Sequence, residues 1–290
     1  MNVFFFGLGF SARASARAIR KLVDPQAHIA GTSRTADGVK ALKEQGFCAH
    51  LFTGEEPGML ADDLSQATHI VFSIAPGEAG DTALIHHQAD LDAAGNLQWL
   101  CYFSTVGVYG NHDGDWIDES APCEASNERS RRRILAEAAW RDYAARRGLP
   151  LAILRLAGIY GTGRSTFDKL REGTARRVVK RGQVFNRIHV DDIGRLTALA
   201  AAARLDGTFN LADDEPAPPQ DLVSYAARIS GMTPPPETAF EEAPMSAMQR
   251  SFYGDNKRVS NAAIKRALGV ELLYPTYREG LEAVLREETA

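Results

Sequence analysis

The run Gly7-Leu8-Gly9-Phe10-Ser11-Ala12 follows the short apolar stretch Asn2 to Phe6 and opens a segment of helix-forming residues at amphipathic spacing. Between a strand and a helix, this spacing suits a pyrophosphate. Gly7 permits the turn, Gly9 lets the backbone approach the phosphates, and small Ala12 lets the helix pack close to the sheet. Phe10 and Ser11 then stand at the positive end of that helix, where exposed N–H groups stabilise negative charge. A glycine turn without a ligand is the plainer alternative. The second apolar run ends Gly31-Thr32-Ser33-Arg34, with no Asp or Glu to accept from a ribose 2′-hydroxyl. Ser33 and Arg34 suit a 2′-phosphate through charge-assisted hydrogen bonds, which favours NADP over NAD, the alternative being a solvated Arg on a loop.

Charge adds a second hint. From Arg129 to Arg187 the sequence holds sixteen Lys/Arg against four Asp/Glu, although the whole chain carries a net charge of −4. Guanidiniums gathered there suit a diphosphate or another polyanion, whereas solvated helix faces account for many such runs. Aromatic residues are not interleaved with the run, so no nucleic-acid partner is expected. Cys48, Cys101 and Cys123 are few, odd in number and far apart, which argues against a disulfide framework or a zinc site. His86 and His87 adjoin on an expected helix, where neighbouring side chains diverge, and no metal is expected.

The elements that must position these groups alternate. Apolar runs at Asn2 to Phe6, His28 to Thr32, Cys48 to Phe52, Thr68 to Pro76, Leu97 to Thr105 and Leu151 to Gly158 are separated by helical patterns, one of them a long Arg/Ala-rich helix after Ser130. Strands apolar on both faces predict a parallel sheet covered by helices, hence an α/β doubly wound fold. Prolines crowd the stretch from Pro216 to Pro244 and mark a different packing unit, a smaller C-terminal lobe. At 290 residues, 44% hydrophobic and 24% charged, the chain is long enough for a large core, and disorder, collagen and coiled coil are excluded. With no basic leader and no long apolar run, a cytoplasmic protein without membrane contact is expected.

These motifs resemble the extended short-chain dehydrogenase/reductases, specifically the nucleoside-diphosphate-sugar epimerase/dehydratase branch. Besides the glycine run, the likeness rests on Ser104-Thr105-Val106-Gly107-Val108-Tyr109-Gly110, ILRLAGIYGTGR from Ile153 to Arg164, IHVDD from Ile188 to Asp192, Phe209-Asn210-Leu211 and Ala267-Leu268-Gly269-Val270. The resemblance implies a Rossmann domain of residues 1–162 plus about 191–214. A substrate lobe of about 163–190 plus 215–290 completes it, with the active site in a cleft between them. Cofactor contacts are expected from Ser73, Ala75, Pro76 and Ser104 as well, and substrate contacts from Tyr109, Arg129, Arg164 and Arg187.

Such enzymes use a Ser/Thr with a Tyr and Lys one helical turn apart, the Lys and the nicotinamide lowering a phenol whose ordinary pKa is about 10. Thr105 stands at the Ser/Thr position. Counting back from Ala136-Glu137, which resembles the family's K-x-x-A-E, puts Arg133 at the Lys position and Arg129 at the Tyr position. Arg129 cannot accept a proton, so it is assigned an anionic substrate group, and Arg133 the nicotinamide ribose hydroxyls. Tyr109, Tyr160 and His112 are conceivable replacement bases, though such rings more often pack and a loop His is more often solvated. His189 is expected to position the substrate lobe. The function implied is an NADP-dependent oxidoreductase or epimerase-like enzyme on a nucleotide-linked or phosphorylated sugar, the alternative being a noncatalytic NADP sensor or interaction protein. Like charges from Arg129 to Arg133 on a helix that commonly mediates pairing suggest a monomer or weak homodimer.

Overall fold

A computed structural model of the chain describes residues 1–289. Its first strands are β1 Asn2–Phe6, β2 His28–Ser33, β3 Cys48–Leu51, β4 His69–Phe72, β5 Trp99–Thr105 and β6 Trp116–Ile117. Then come β7 Leu151–Leu156, β8 Gly158–Tyr160, β9 Arg177–Val179, β10 Arg187–His189, β11 Gly207–Leu211, β12 Glu237–Ala239 and β13 Arg258–Val259. The helices that matter for the site are α1 Phe10–Leu22, α2 Ala36–Glu44, α3 Ala61–Gln66, α4 Thr82–Ala93 and α5 Glu128–Arg147.

Seven strands form the main sheet in the order β11-β7-β5-β4-β1-β2-β3, and the pairs β1–β2, β1–β4, β2–β3 and β4–β5 are parallel. The chain winds outward from β1 through β2 to β3, then returns to the other side of β1 for β4 and β5. That is the doubly wound α/β order, and it follows from the alternation of strand and helix signals. Helices cover both faces, so β4 is buried throughout and β5 at every residue but Thr105. The rings of Phe6 and Phe72 stack at 5.4 Å between centroids, and Phe72 stacks on Trp140 of α5 at 3.7 Å.

The chain divides into two compact units. One contains Met1–Thr105, Asn127–Arg155 and Ile193–Phe209; the other contains Val106–Ser126, Leu156–Asp192 and Asn210 onward. The second unit carries the two-stranded sheets β10–β8, β12–β9 and β13–β6 and a core built on Phe167, Tyr277, Leu281 and Val284. Within the proline-rich stretch, Pro219 opens the helix Pro219–Ser230, where a fixed φ and a missing N–H cost nothing. Among the described residues, no helix is long and apolar enough to cross a membrane.

In the first unit, a buried polar clamp fixes the end of β5. The Glu137 carboxylate, 1% exposed on α5, accepts from Ser104 Oγ at 2.6 Å, from Arg155 Nη2 at 2.7 Å and Nε at 3.1 Å, and from Arg141 at 3.0 Å. Burial raises the Glu137 carboxyl, but the hydrogen bonds and charge of Arg155, with Ser104 and Arg141, outweigh it and hold the group below the usual carboxylate range. Arg155 is 4% exposed, so removing its partner strands a buried charge. Glu137→Gln should therefore cost about 3 kcal/mol in denaturant unfolding.

His69 makes a separate contribution to pH dependence. It is buried against Trp99 in β4, with Thr68 Oγ1 2.8 Å from its Nδ1, and burial pushes its imidazole down to about 4. Because the unfolded imidazole takes up its proton near pH 6.5, stability is full above that value and declines as pH falls toward about 4. The loss from this group should reach about 3 kcal/mol. His69→Gln should flatten that part of the stability profile measured by denaturant unfolding across pH.

Candidate functional site

In a parallel sheet all carboxyl ends emerge on one edge, and here β5, β4, β1 and β2 are consecutive neighbours. Gly7 and Gly9 follow β1, Ser73, Ala75 and Pro76 follow β4, Thr105 ends β5, and Ser33 with Arg34 ends β2. The strand order thus gathers these expected residues on a single edge, across the point where the winding reverses between β1 and β4.

The glycine loop is fastened from both sides. Gly7 has φ +89°, and a Cβ there would lie 2.8 Å from the Ile74 side chain, so both its conformation and its space require glycine. Its N–H donates to Thr32 Oγ1 at 2.8 Å, and its carbonyl accepts from the Ser73 hydroxyl. Leu8 N–H adds a bond to the Thr32 carbonyl at 2.8 Å. Thr32 was not anticipated as a site residue. Gly9 is the N-cap of α1 with no side-chain cap, and a Cβ built on it would meet nothing within 4 Å. Open space in front of an uncapped thirteen-residue helix fits a pyrophosphate lying against the backbone. Ala12 is buried and Ser11 nearly so, which lets the helix settle against the sheet.

At the end of β2, Thr35 caps α2 by accepting from Gly38 N at 3.1 Å. A Cβ on Gly38 would lie 2.1 Å from Ser33 Oγ, so that hydroxyl rests over the first turn of α2. Arg34 is exposed between them. A hydroxyl, a guanidinium and a positive helix end meet there, and the acid nearest in sequence, Asp37, belongs to α2 itself.

At the end of β5, Thr105 is half-buried, whereas the Ser104 hydroxyl is committed to Glu137 rather than turned toward a cofactor. Arg133 donates from Nη1 to the Phe103 carbonyl and to the Tyr102 phenol at 3.2 Å, with its guanidinium 5.5 Å from the Tyr102 ring centroid. Arg129, one turn earlier on α5, is exposed. Its neighbours are partly neutralised: Arg131 and Arg132 both bind Glu128, and Arg132 also binds Glu78 at 3.1 Å.

The second unit places its expected residues differently. Tyr109 is fully enclosed and donates to Asn210 Oδ1 at 2.7 Å, so its phenol is a strut and not an open proton acceptor. Arg187 is 7% exposed, donating to the Phe185 and Ala217 carbonyls at 3.0 and 3.1 Å. That guanidinium holds backbone inside the unit instead of presenting itself to an anionic substrate. Arg177 pairs with Glu237, and Arg164 stays exposed. Tyr160 is pressed so close to Gly280 that a Cβ there would lie 1.9 Å from the phenol oxygen, and burial pushes the phenol up, away from any role as a base. His189 packs between Tyr160 and Tyr274, and its Nδ1 accepts from Asp191 N at 3.2 Å. His112 lies against the Tyr109 carbonyl at 3.1 Å. Asn210 and Asp192, the latter accepting from Leu273 N and Tyr274 N at 2.7 and 3.0 Å, are anchors that sequence spacing alone did not single out.

Comparison with known proteins agrees with this geometry. Residues 79–212 match the model of the NAD dependent epimerase/dehydratase family. A functionally unknown conserved protein from Silicibacter pomeroyi is 43% identical, with 98% of each chain covered and a TM-score of 0.89. A protein provisionally described as an NAD-dependent epimerase/dehydratase from Methylobacillus flagellatus is 25% identical, covering 100% of this chain and 99% of its own, at TM-score 0.72. The fold is shared with UDP-glucuronic acid 4-epimerase from Bacillus cereus in complex with NAD, at 17% identity, coverage of 99% and 96%, and TM-score 0.77. No curated protein matches. With a glycine turn locked at the head of α1, a doubly wound sheet, and these matches along the chain, the protein belongs to the NAD dependent epimerase/dehydratase family.

Proposed function

We propose that the protein binds NADP in preference to NAD and acts as an oxidoreductase or epimerase-like enzyme on a nucleotide-linked or phosphorylated sugar. The observation that carries this reading is the uncapped start of α1, with open space over Gly9 and Gly7 held from two sides. Gly7, Gly9, Phe10, Ser11 and Ala12 hold the pyrophosphate, and Ser33 with Arg34 holds the 2′-phosphate. The neighbour in complex with NAD leaves that preference to Ser33 and Arg34, while its description as a UDP-glucuronic acid 4-epimerase supports the substrate class. The bound nicotinamide supplies the hydride acceptor and donor. Thr105 orients a substrate hydroxyl or polarises a carbonyl, and exposed Arg129 holds an anionic substrate group, with Arg164 as a further candidate. In this reading Arg129 and Arg133 replace the family's Tyr and Lys, and the molecule is a cytoplasmic monomer or weak homodimer.

One set of observations favours a second reading, a noncatalytic NADP sensor. Tyr109 and Tyr160 are enclosed, so neither phenol stands ready to exchange a proton, and the Arg133 guanidinium, bonded to the Phe103 carbonyl, stays protonated. The Thr105→Val variant separates the two: an enzyme loses turnover in a sugar-nucleotide screen with NADPH binding intact, whereas a sensor binds NADPH as before and shows no turnover with either protein.

Fluorescence titration at one fixed salt concentration tests the cofactor site. Arg34→Ala should weaken NADPH by about tenfold or more, toward the NADH value, and leave NADH unchanged. Gly9→Ala should weaken both dinucleotides by about tenfold or more while its unfolding free energy stays within about 1 kcal/mol of wild type, since its Cβ meets open space. Equal NADPH and NADH affinities in the wild type would overturn the preference for NADP.

A further inference from the structure

Away from the glycine loop, the other margin of the sheet gathers a different set of donor atoms. In the parallel pair β2–β3, Ala30 registers with Cys48 and Thr32 with His50. Side chains two apart on a strand share a face, so Cys48 and His50 project on the same side of β3. His28, two residues before Ala30, joins them on that side of β2. Asp63, on α3, reaches the same place: its Oδ2 lies 2.7 Å from His50 Nε2 and its Oδ1 lies 3.5 Å from His28 Nε2. Cys48 Sγ is 3.5 Å from His50 Nε2 and 4.0 Å from Asp63 Oδ2. The donor atoms of His28, Cys48 and Asp63 all lie within 4.8 Å of one another.

We infer that His28, Cys48, His50 and Asp63 form a binding site for a divalent transition-metal ion of the zinc type. A tetrahedral zinc ion with bonds of about 2.0–2.3 Å holds its ligand atoms roughly 3.3–3.6 Å apart. Four of the six separations among these side chains, from 2.7 to 4.0 Å, bracket that range, and the donors of His28, Cys48 and Asp63 lie within 4.8 Å of one another, so side-chain adjustments that bring His50 in with them admit an ion. Two imidazoles, a thiol and one carboxylate are a donor set for zinc, cobalt, nickel or copper, and not for calcium or magnesium, which prefer all-oxygen shells. His28 is 55% exposed, which leaves a way in from solvent.

This site is separate from the dinucleotide site. His28 and Cys48 are the first residues of β2 and β3, whereas Gly7 and Arg34 lie beyond the last residues of β1 and β2. A bound ion ties the edge strand β3 to its neighbour β2 and to α3, so its role is to staple the margin of the sheet. The proposal departs from the expectation drawn from the number and spacing of the cysteines. One Cys suffices when the sheet supplies two His and a helix supplies an Asp.

Cobalt(II) tests the site, because a thiolate ligand gives it a sulfur-to-cobalt charge-transfer absorption. Chelator-treated full-length protein titrated with cobalt(II) should take up about one ion per chain, develop that absorption, and lose it on adding zinc(II). Cys48→Ser should abolish the absorption, while Cys123→Ser should leave it intact. His28→Ala, at an exposed position, and Asp63→Asn should weaken cobalt binding by about tenfold or more, with folding checked by circular dichroism. Zinc(II) should raise the melting temperature of wild type and not of Cys48→Ser. No charge-transfer absorption in the wild type, an absorption that survives Cys48→Ser, or an affinity indifferent to both His28→Ala and Asp63→Asn would overturn the site.

Discussion

The enclosed carboxylate of Glu137 governs the geometry at the end of β5. It joins β5 through Ser104, β7 through Arg155 and its own helix through Arg141, and each partner is a hydrogen-bond donor. A charge so enclosed costs several kcal/mol unless its lone pairs are occupied, and here they are. Because Ser104 precedes Thr105 and Glu137 lies one turn beyond Arg133 on α5, the same contact fixes where the Thr105 hydroxyl and the Arg133 guanidinium stand. The rigidity of that corner comes from an ion cluster below it and not from the residues that face outward.

Sequence made some of this legible and hid the rest for physical reasons. The sheet strands read as apolar runs because helices cover both faces, and the glycine run read as a loop because a positive φ at Gly7 leaves few other residues. Motif membership, by contrast, names a residue type but not the direction of its side chain. Tyr109 and Arg187 sit in motif-like stretches, yet one phenol is spent on Asn210 and one guanidinium on two backbone carbonyls. Thr32 escaped notice because its role depends on a hydroxyl reaching across to the loop after β1, a contact that no spacing along one strand records. The donors His28, Cys48, His50 and Asp63 escaped for the same reason, coming from three elements that only strand register brings together.

The arginine excess shows how a count along the chain misleads about a field in space. Arg132 answers Glu128 and Glu78, Arg155 answers Glu137, Arg171 answers Asp168 and Glu288, and Arg177 answers Glu237. Glu78, Glu237 and Glu288, drawn from distant sequence, add to the nearby Glu128, Glu137 and Asp168 and cancel much of the charge that a window of residues counts. Exposure, as at Arg34, Arg129 and Arg164, is therefore a better guide to which guanidiniums reach solvent than the density of the run.

The two-sided fastening of Gly7 bears on how a ligand arrives. A loop whose N–H and carbonyl are already bonded to Thr32 and Ser73 has little freedom left to lose. Encounter then requires no search among loop conformations, and the ordering entropy that often opposes binding was spent when the chain folded. Sequence changes at Thr32 or Ser73 that release the loop would return that search and its ordering cost to the binding step.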